Sequence, residues 1–345
     1  QTFKGTQFGA KVSVTGNSIL LNGSVFNDSL FIVKKGTSND NGKGSNTFNG
    51  YVSITDSASG NIVLSDSFPD VFNSSLVVSR RSTGNIYLAH RGAANQFNGD
   101  VTFNGSNGYS NYYGTATYAG NIILNGNVYF GYGGGSCVLN SGKTISIGAS
   151  GISAGWLYFK NFSQQDSTGK ISLALTGTSQ LFFESGSVFN DSVTASAPLL
   201  YLNGTRFNGV SNLTNNGSST VSSNGGCYFK KKASIFNSCT TSITYSFSLT
   251  AVDTFATDAL IQNNTGNLAF SNAVFLGSVT LKNANTTTAS DRYNVSSSGQ
   301  TIFKGAVTID NTTSGMVFGN TTGNITFDST ASLSFTSGFT GNITL

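Results

Sequence analysis

The sequence predicts an all-β fold: a single-stranded parallel β-helix, or β-solenoid, of about fifteen irregular coils of roughly 20–25 residues each. Three observations predict it. A two-part phrase recurs along the chain, typified by Gly84-Asn85-Ile86-Tyr87-Leu88 and, after a polar turn, Phe97-Asn98-Gly99-Asp100-Val101-Thr102-Phe103. Each half alternates apolar and polar residues, the period of a half-buried strand. Charged residues make up only 9% of the chain, yet it holds 27 Phe and 13 Tyr, too many aromatics for a disordered polymer. Finally, apolar residues never recur at three-and-four spacing over a long window, so no helix is expected. One copy of the phrase cannot bury its own apolar face, and stacking the copies solves that problem.

Taken in order, the Phe-centred phrase falls at Phe3, Phe26, Phe48, Phe72 and Phe97, and later at Phe189, Phe207, Phe236, Phe275, Phe303 and Phe339. These rings are expected to stack as internal aromatic ladders. The companion phrase, Gly-Asn-Ile or Gly-Asn-Leu, begins at Gly60, Gly84, Gly120, Gly266, Gly323 and Gly341. Glycine and asparagine tolerate positive φ, which suits them to the corners. Residues 1–345 read as one continuous solenoid domain. Side loops are expected near 36–45 and 106–118, where Gly, Ser and polar residues break the rhythm, with weaker candidates at 159–167 and 283–295. A distorted coil is expected near 242–258. The chain opens at Gln1 without a charged-then-apolar leader, as a mature or excised form would. It stops on a strand phrase, so further chain or a neighbouring molecule is expected to cover that edge.

No run of about eighteen apolar residues occurs, so no transmembrane helix is expected. A formal charge of +4 spread over 345 residues does not call for a nucleic-acid partner. The three cysteines are too few for a disulfide framework. Cys227 and Cys239 are a candidate bridge across a less regular coil, and the alternative is small buried thiols, with Cys137 among them.

Little in the chain points to catalysis. The single Glu184 and thirteen Asp are dispersed, mostly at turn-like sites, whereas glycoside hydrolysis needs paired carboxylates. His90 is the sole histidine and reads as a solvated corner side chain. The glycine run 131–135 lacks a following helix to present phosphate-binding amides. Asn39-Asp40-Asn41 offers one carboxylate, a poor start for a calcium site, so no metal and no cofactor is expected. Thr pairs such as Thr312-Thr313 do not hold one position per coil, which argues against an ice-binding face. Basic residues cluster at Lys34-Lys35, Arg80-Arg81 and Lys230-Lys231-Lys232. Coils stacked in register would align the first two pairs into a positive stripe facing anionic polysaccharide, and the alternative is solvated, solubilising charge.

The phrases at Gly84–Ala89, Phe97–Phe103 and Phe303–Thr312 resemble repeats of large secreted surface proteins of Bacteroidota, among them adhesins of gliding bacteria exported by the type IX system. The likeness is one of repeat style over most of the chain and carries over no catalytic residue. It implies an extracellular, elongated, non-enzymatic role. Asp-Ser followed by a small or apolar residue resembles the O-glycosylation signal of the same bacteria, marking Ser29, Ser57 and Ser192. The resulting expectation is a rigid surface stalk or filament module of gliding-motility type. It would contact glycans, surface polysaccharide or neighbouring chains, and it could associate end to end. The alternatives are a carbohydrate-active β-helix enzyme (a polysaccharide lyase or glycosidase) and a self-assembling filament subunit.

Overall fold

The computed structural model describes residues 1–90, 94–105, 110–166, 168–240, 242–286, 293–311, 315–319 and 322–344. The protein is an all-β parallel β-solenoid. Among the described residues no helix is long and apolar enough to cross a membrane. The chain divides into two compact units, Gln1–Ser172 and Leu173–Leu345.

In the first unit the turns contribute three strands: a short strand, ending on an aromatic or apolar residue in all but Phe162–Gln164, a longer one, and a third after the next corner. One turn, for example, runs Val71–Phe72, Leu76–Arg80 and Ile86–Leu88. Each strand pairs in parallel register with its counterpart a turn away, as Leu76 does with Val52 and Val101. That register carries the aromatic ladder. Phe8, Phe26, Phe48, Phe72, Phe97 and Tyr118 follow one another with ring centroids 4.5–5.4 Å apart and planes within 18°. Outside the core an asparagine ladder runs alongside. The amides of Asn49, Asn73 and Asn98 donate to Asn27, Asn49 and Asn73 at 2.8–2.9 Å.

The second unit repeats the plan. Phe189, Phe207, Phe229, Phe255, Phe275, Phe303 and Phe327 stack at 4.7–5.6 Å. Four successive long strands carry an inward asparagine: Asn215, Asn237, Asn263 and Asn283 pair in register and are fully buried. Asn237 donates to Asn263 at 2.7 Å and Asn263 to Asn283 at 3.2 Å. Each amide is both donor and acceptor, and neighbouring carbonyls and the Cys239 sulfur complete the bonding of the column inside the core.

Several expectations need correction. Phe3, Phe236 and Phe339 are not in the ladders. Phe3 lies on a third-position strand opposite Leu21, Phe236 is a half-buried residue of a long strand, and Phe339 is outside any strand. Phe8, Phe229, Phe255 and Phe327 are ladder members instead, with Phe229 and Phe255 followed by Lys or Ala rather than by the Asn-Gly corner. The expected side loop 36–45 holds the strand Asp40–Asn41, paired with Ile62–Val63. In 106–118, Ser110–Tyr113 and Ala116–Tyr118 are in-register strands, and residues 106–109 lie outside the described residues. Within 159–167, Phe162–Gln164 pairs with Cys137–Leu139, and residue 167 lies outside the described residues. Tyr293–Val295 is a strand, and 287–292 of that candidate loop lie outside the described residues. Within 242–258, Thr244–Phe247 and Asp253–Phe255 pair in parallel with the following turn, while Ser242 and Ser248 adopt left-handed φ. In two of these segments, 36–45 and 242–258, a polar residue occupies an inward position (Asp40, Asp253), which hides the apolar alternation.

One corner is built the same way in both units. Ser65 and Ser248 adopt left-handed φ of 57° and 56°, and each donates its hydroxyl to a buried aspartate five residues on, Asp70 at 2.6 Å and Asp253. Those carboxylates accept from the preceding turn, at the Asn46 and Cys227 amides, 2.7 and 2.6 Å away. Here glycine is obligatory. A Cβ on Gly44 (φ 93°) would lie 1.9 Å from the Phe68 carbonyl oxygen, and one on Gly225 (φ 85°) 2.4 Å from that of Ala251.

Candidate functional site

The site is the corner that follows the long strand in the first unit. Leu30–Lys34, Val52–Asp56 and Leu76–Arg80 pair residue for residue, so Lys34, Asp56 and Arg80 form one column. Period-two alternation places them on the face of Ile32, Ile54 and Val78, and all three are buried. The Lys34 ammonium donates to the carbonyls of Asn17 (3.1 Å) and Ser38 (2.6 Å) and pairs with Asp40 Oδ2 at 3.0 Å. The Ile19 amide donates to the same Asp40 oxygen at 3.0 Å. Burial pushes the Asp56 carboxyl up to about 6, against the Ala58 amide, Lys34 and Arg80, which favour its charge. Two cations and two carboxylates therefore balance inside the core, the condition under which buried charge is tolerated.

This overturns part of the expected basic stripe: Lys34 and Arg80 face inward, and only Lys35 and Arg81 remain outside. The Ser57 amide bonds to the Lys34 carbonyl and the Arg81 amide to that of Asp56, so Lys35, Ser57 and Arg81 mark one outer corner on successive turns. Two shallow clefts open there. The first, about 340 Å³, holds Lys35 with Ser18, Thr37 and Ser38. The second, about 540 Å³, holds Arg81 with Ser79, Asn104, Asn125 and Ser150. In it the Asn125 amide donates to Asn104 (3.1 Å) and Asn104 donates to the Ser79 hydroxyl (3.2 Å). A cation beside amides and hydroxyls in rows one strand apart offers hydrogen bonds and one charge to a polyhydroxylated, anionic ligand. Lys230, Lys231 and Lys232 are exposed at a corner of the second unit.

No family model, curated protein or solved structure matches the chain. The reading of the site therefore rests on its geometry.

The structure also joins two residues that sequence spacing left apart. His90 Nδ1 lies 3.0 Å from Asp66 Oδ1, with Tyr87 edge-on to the imidazole at 4.8 Å. The 24-residue separation equals one turn, which is the signal that links them. The other candidates stay separate. Cys137, Cys227 and Cys239 are free, buried thiols, which corrects the expected Cys227–Cys239 bridge. Cys227 precedes a short strand and Cys239 follows a long one, and the Cys239 sulfur instead accepts from Asn215 at 2.7 Å. Burial pushes the Cys137 thiol up to about 12. Ser29 and Ser192 occupy equivalent corners, each with its amide on the preceding aspartate at 2.5 Å. Ser57 is exposed, but Asp56 of its motif is buried. Among the described residues, no group of three or more His, Cys, Asp or Glu is placed to hold a metal ion.

Proposed function

We propose that the protein is a non-catalytic, extracellular structural or adhesive element, a rigid β-solenoid stalk or filament module. On this reading the Lys35/Arg81 corner contacts acidic glycans of a cell surface. The supporting observation is that corner, where cations two turns apart stand beside amides and hydroxyls above a charge-neutral core. Three of the acids support it too, since Asp28, Asp100 and Asp258 are exposed at separate corners, while Asp40 and Asp56 are shut inside the core. The resemblance in repeat style to secreted Bacteroidota surface proteins points the same way.

The test is binding to polygalacturonate against neutral dextran. Polygalacturonate is expected to bind and dextran not to bind, with affinity falling as salt rises. A Lys35→Glu/Arg81→Glu variant is expected to lose at least about fivefold in affinity while keeping its melting temperature, because both side chains are exposed. Equal binding of the two polymers would overturn the reading.

The His90–Asp66 pair favours a second reading, a polysaccharide-cleaving enzyme with His90 as general base. Product released from an acidic polysaccharide by the protein, and lost in His90→Ala, would establish it. End-to-end self-association has its own support. Phe327, Leu333 and Phe335, in register with Phe303, Val307 and Ile309, are 41–49% exposed. Concentration-dependent growth of the sedimenting species, reduced by Leu333→Lys/Phe335→Lys, is the expected result.

A further inference from the structure

The buried cluster at Lys34 holds more than an ion pair requires. Lys34 and Asp40 belong to the same turn, across one corner, with Nζ 3.0 Å from Oδ2 and side-chain exposures of 0% and 1%. Asp56 stands one turn on, in register with Lys34. Asp40 thus pairs with the lysine directly, and Asp56 lies on the neighbouring turn, close enough for Lys34 to favour its charge. Each keeps one buried oxygen, Asp40 Oδ1 and Asp56 Oδ2, without a hydrogen-bond partner among the described residues. A carboxylate oxygen held this way is stripped of the stabilisation its charge needs. Around Asp40 the wall is aliphatic: Ile19, Leu21, Ile32, Ile54, Ile62 and Leu64 enclose a void of only about 10 Å³ beside it.

The lysine is also aimed. Two of its three N–H bonds are anchored on the Asn17 and Ser38 carbonyls, and the third points at the Asp40 carboxylate. Moving that third proton onto Asp40 leaves a neutral amine whose lone pair faces the carboxyl group, with both anchoring bonds intact. Reacting groups held about 3 Å apart in a dry pocket gain most of the entropy that a bimolecular reaction would lose.

We propose that Lys34 and Asp40 condense to an intramolecular isopeptide bond, with Asp56 as the proton shuttle. Lys34 passes a proton to Asp40, giving amine and carboxylic acid. Nζ attacks Asp40 Cγ and the C–N bond forms, giving a tetrahedral adduct. Asp56 takes a proton from the nitrogen and returns it to the departing hydroxyl, so that the C–O bond breaks and one water leaves. The sum is ammonium plus carboxylate to amide plus water, with no oxidant, no metal and no net change at Asp56. The product is neutral and replaces two buried charges with one amide. Burial raises the Asp56 carboxyl to about 6, into the range where it exchanges protons readily near neutral pH. For a surface protein the bond would lock a corner against unfolding and proteolysis.

Intact-mass measurement of the purified protein, followed by tryptic mapping, tests this directly. The expected mass is about 18 Da, one water, below the sequence mass. Cyclisation of Gln1 removes ammonia instead, and the map separates the two. Residues 12–35 and 36–43 are expected to stay joined after cleavage at Lys35 and Lys43, with fragment ions placing the link at Lys34 and Asp40. Asp56→Asn keeps a side chain of the same shape and is expected to slow formation at least about tenfold. Lys34→Met is expected to abolish the mass loss, and Asp56→Asn keeps the test decisive if that variant does not fold. Cleavage after an unmodified Lys34, with residues 12–34 and 36–43 recovered as separate peptides, overturns the proposal. A link formed at the same rate in Asp56→Asn overturns the shuttle.

Discussion

Asp70 and Asp253 are carboxylic acids in a core, each held by a serine hydroxyl and an amide from the turn before. Burial raises Asp70 to about 6 and Asp253 to about 7, the hydrogen bonds opposing it only in part. Asp56 is raised to about 6 by the same cause. A raised carboxyl binds its proton more tightly in the folded chain than in the unfolded one. Its contribution to stability therefore grows as pH falls from about 7 toward 4, and is lost as pH rises through the folded value. Asp310 works in the opposite sense. Its hydrogen bond to Lys282, 2.8 Å away, holds it below the usual range, so its contribution is lost in stronger acid. Thermal melts across pH are thus expected to give maximum stability near pH 4–5, with each raised carboxyl worth about 1–3 kcal/mol between pH 7 and 4. The Asp70→Asn/Asp253→Asn variant is expected to flatten that slope, and a wild-type melting temperature that rises steadily from pH 5 to 8 would contradict it. None of these burials was apparent from composition, because a lone Asp beside Pro69 or Val252 looks like turn capping. The inward charges at 34, 56 and 80 did leave a trace. Leu30-Phe31-Ile32-Val33-Lys34 and its two successors continue the period-two inward series onto a charged residue.

At the scale of the strand, the ladders decide which side chains matter. Phe229 is flanked in its stack by Phe207 and Phe255 at 5.1 and 4.7 Å, whereas Phe236 faces outward on the next strand. Phe229→Ala is expected to cost about 3–5 kcal/mol in denaturant unfolding, and Phe236→Ala under about 1 kcal/mol. Equal costs would mean the ladder is misassigned. Asn263→Ala removes a side-chain hydrogen bond to each neighbouring turn, while Asn237 and Asn283 keep other partners, and is expected to cost about 1–2 kcal/mol. Strand existence was legible from alternation, but strand identity was not. Gly-Asn-Ile opens a third-position strand at Ile86, a long strand at Ile122 and lies within a Phe-bearing strand at Ile325. The dipeptide signals a corner locally, and only pairing with the turns on either side says which corner it is. The same holds for Phe-x-Gly, which names most ladder positions but admits Phe3, Phe236 and Phe339 and misses Phe8, Phe229, Phe255 and Phe327.

Across the whole molecule, the recurring relation is between a residue and its counterpart some twenty-odd positions away, so each turn is stabilised chiefly by its neighbours. That repeat was readable because it is written in large apolar residues. The outer Lys35/Arg81 corner was half readable. Adjacent basic pairs were visible, but alternation turns one member of each pair inward, which halves the surface charge and creates the internal cluster. The most direct test of parallel, in-register turns is a pair of cysteines on neighbouring outward positions. Ser53 and Val77 are register partners on consecutive long strands, both half-buried and facing away from the core. At the strand spacing of about 4.8 Å, Ser53→Cys/Val77→Cys is expected to oxidise to an intramolecular disulfide, while Ser53→Cys/Ser79→Cys, two residues out of register, is expected to stay reduced. Ready oxidation of the second pair with none of the first would contradict the parallel register on which the account stands.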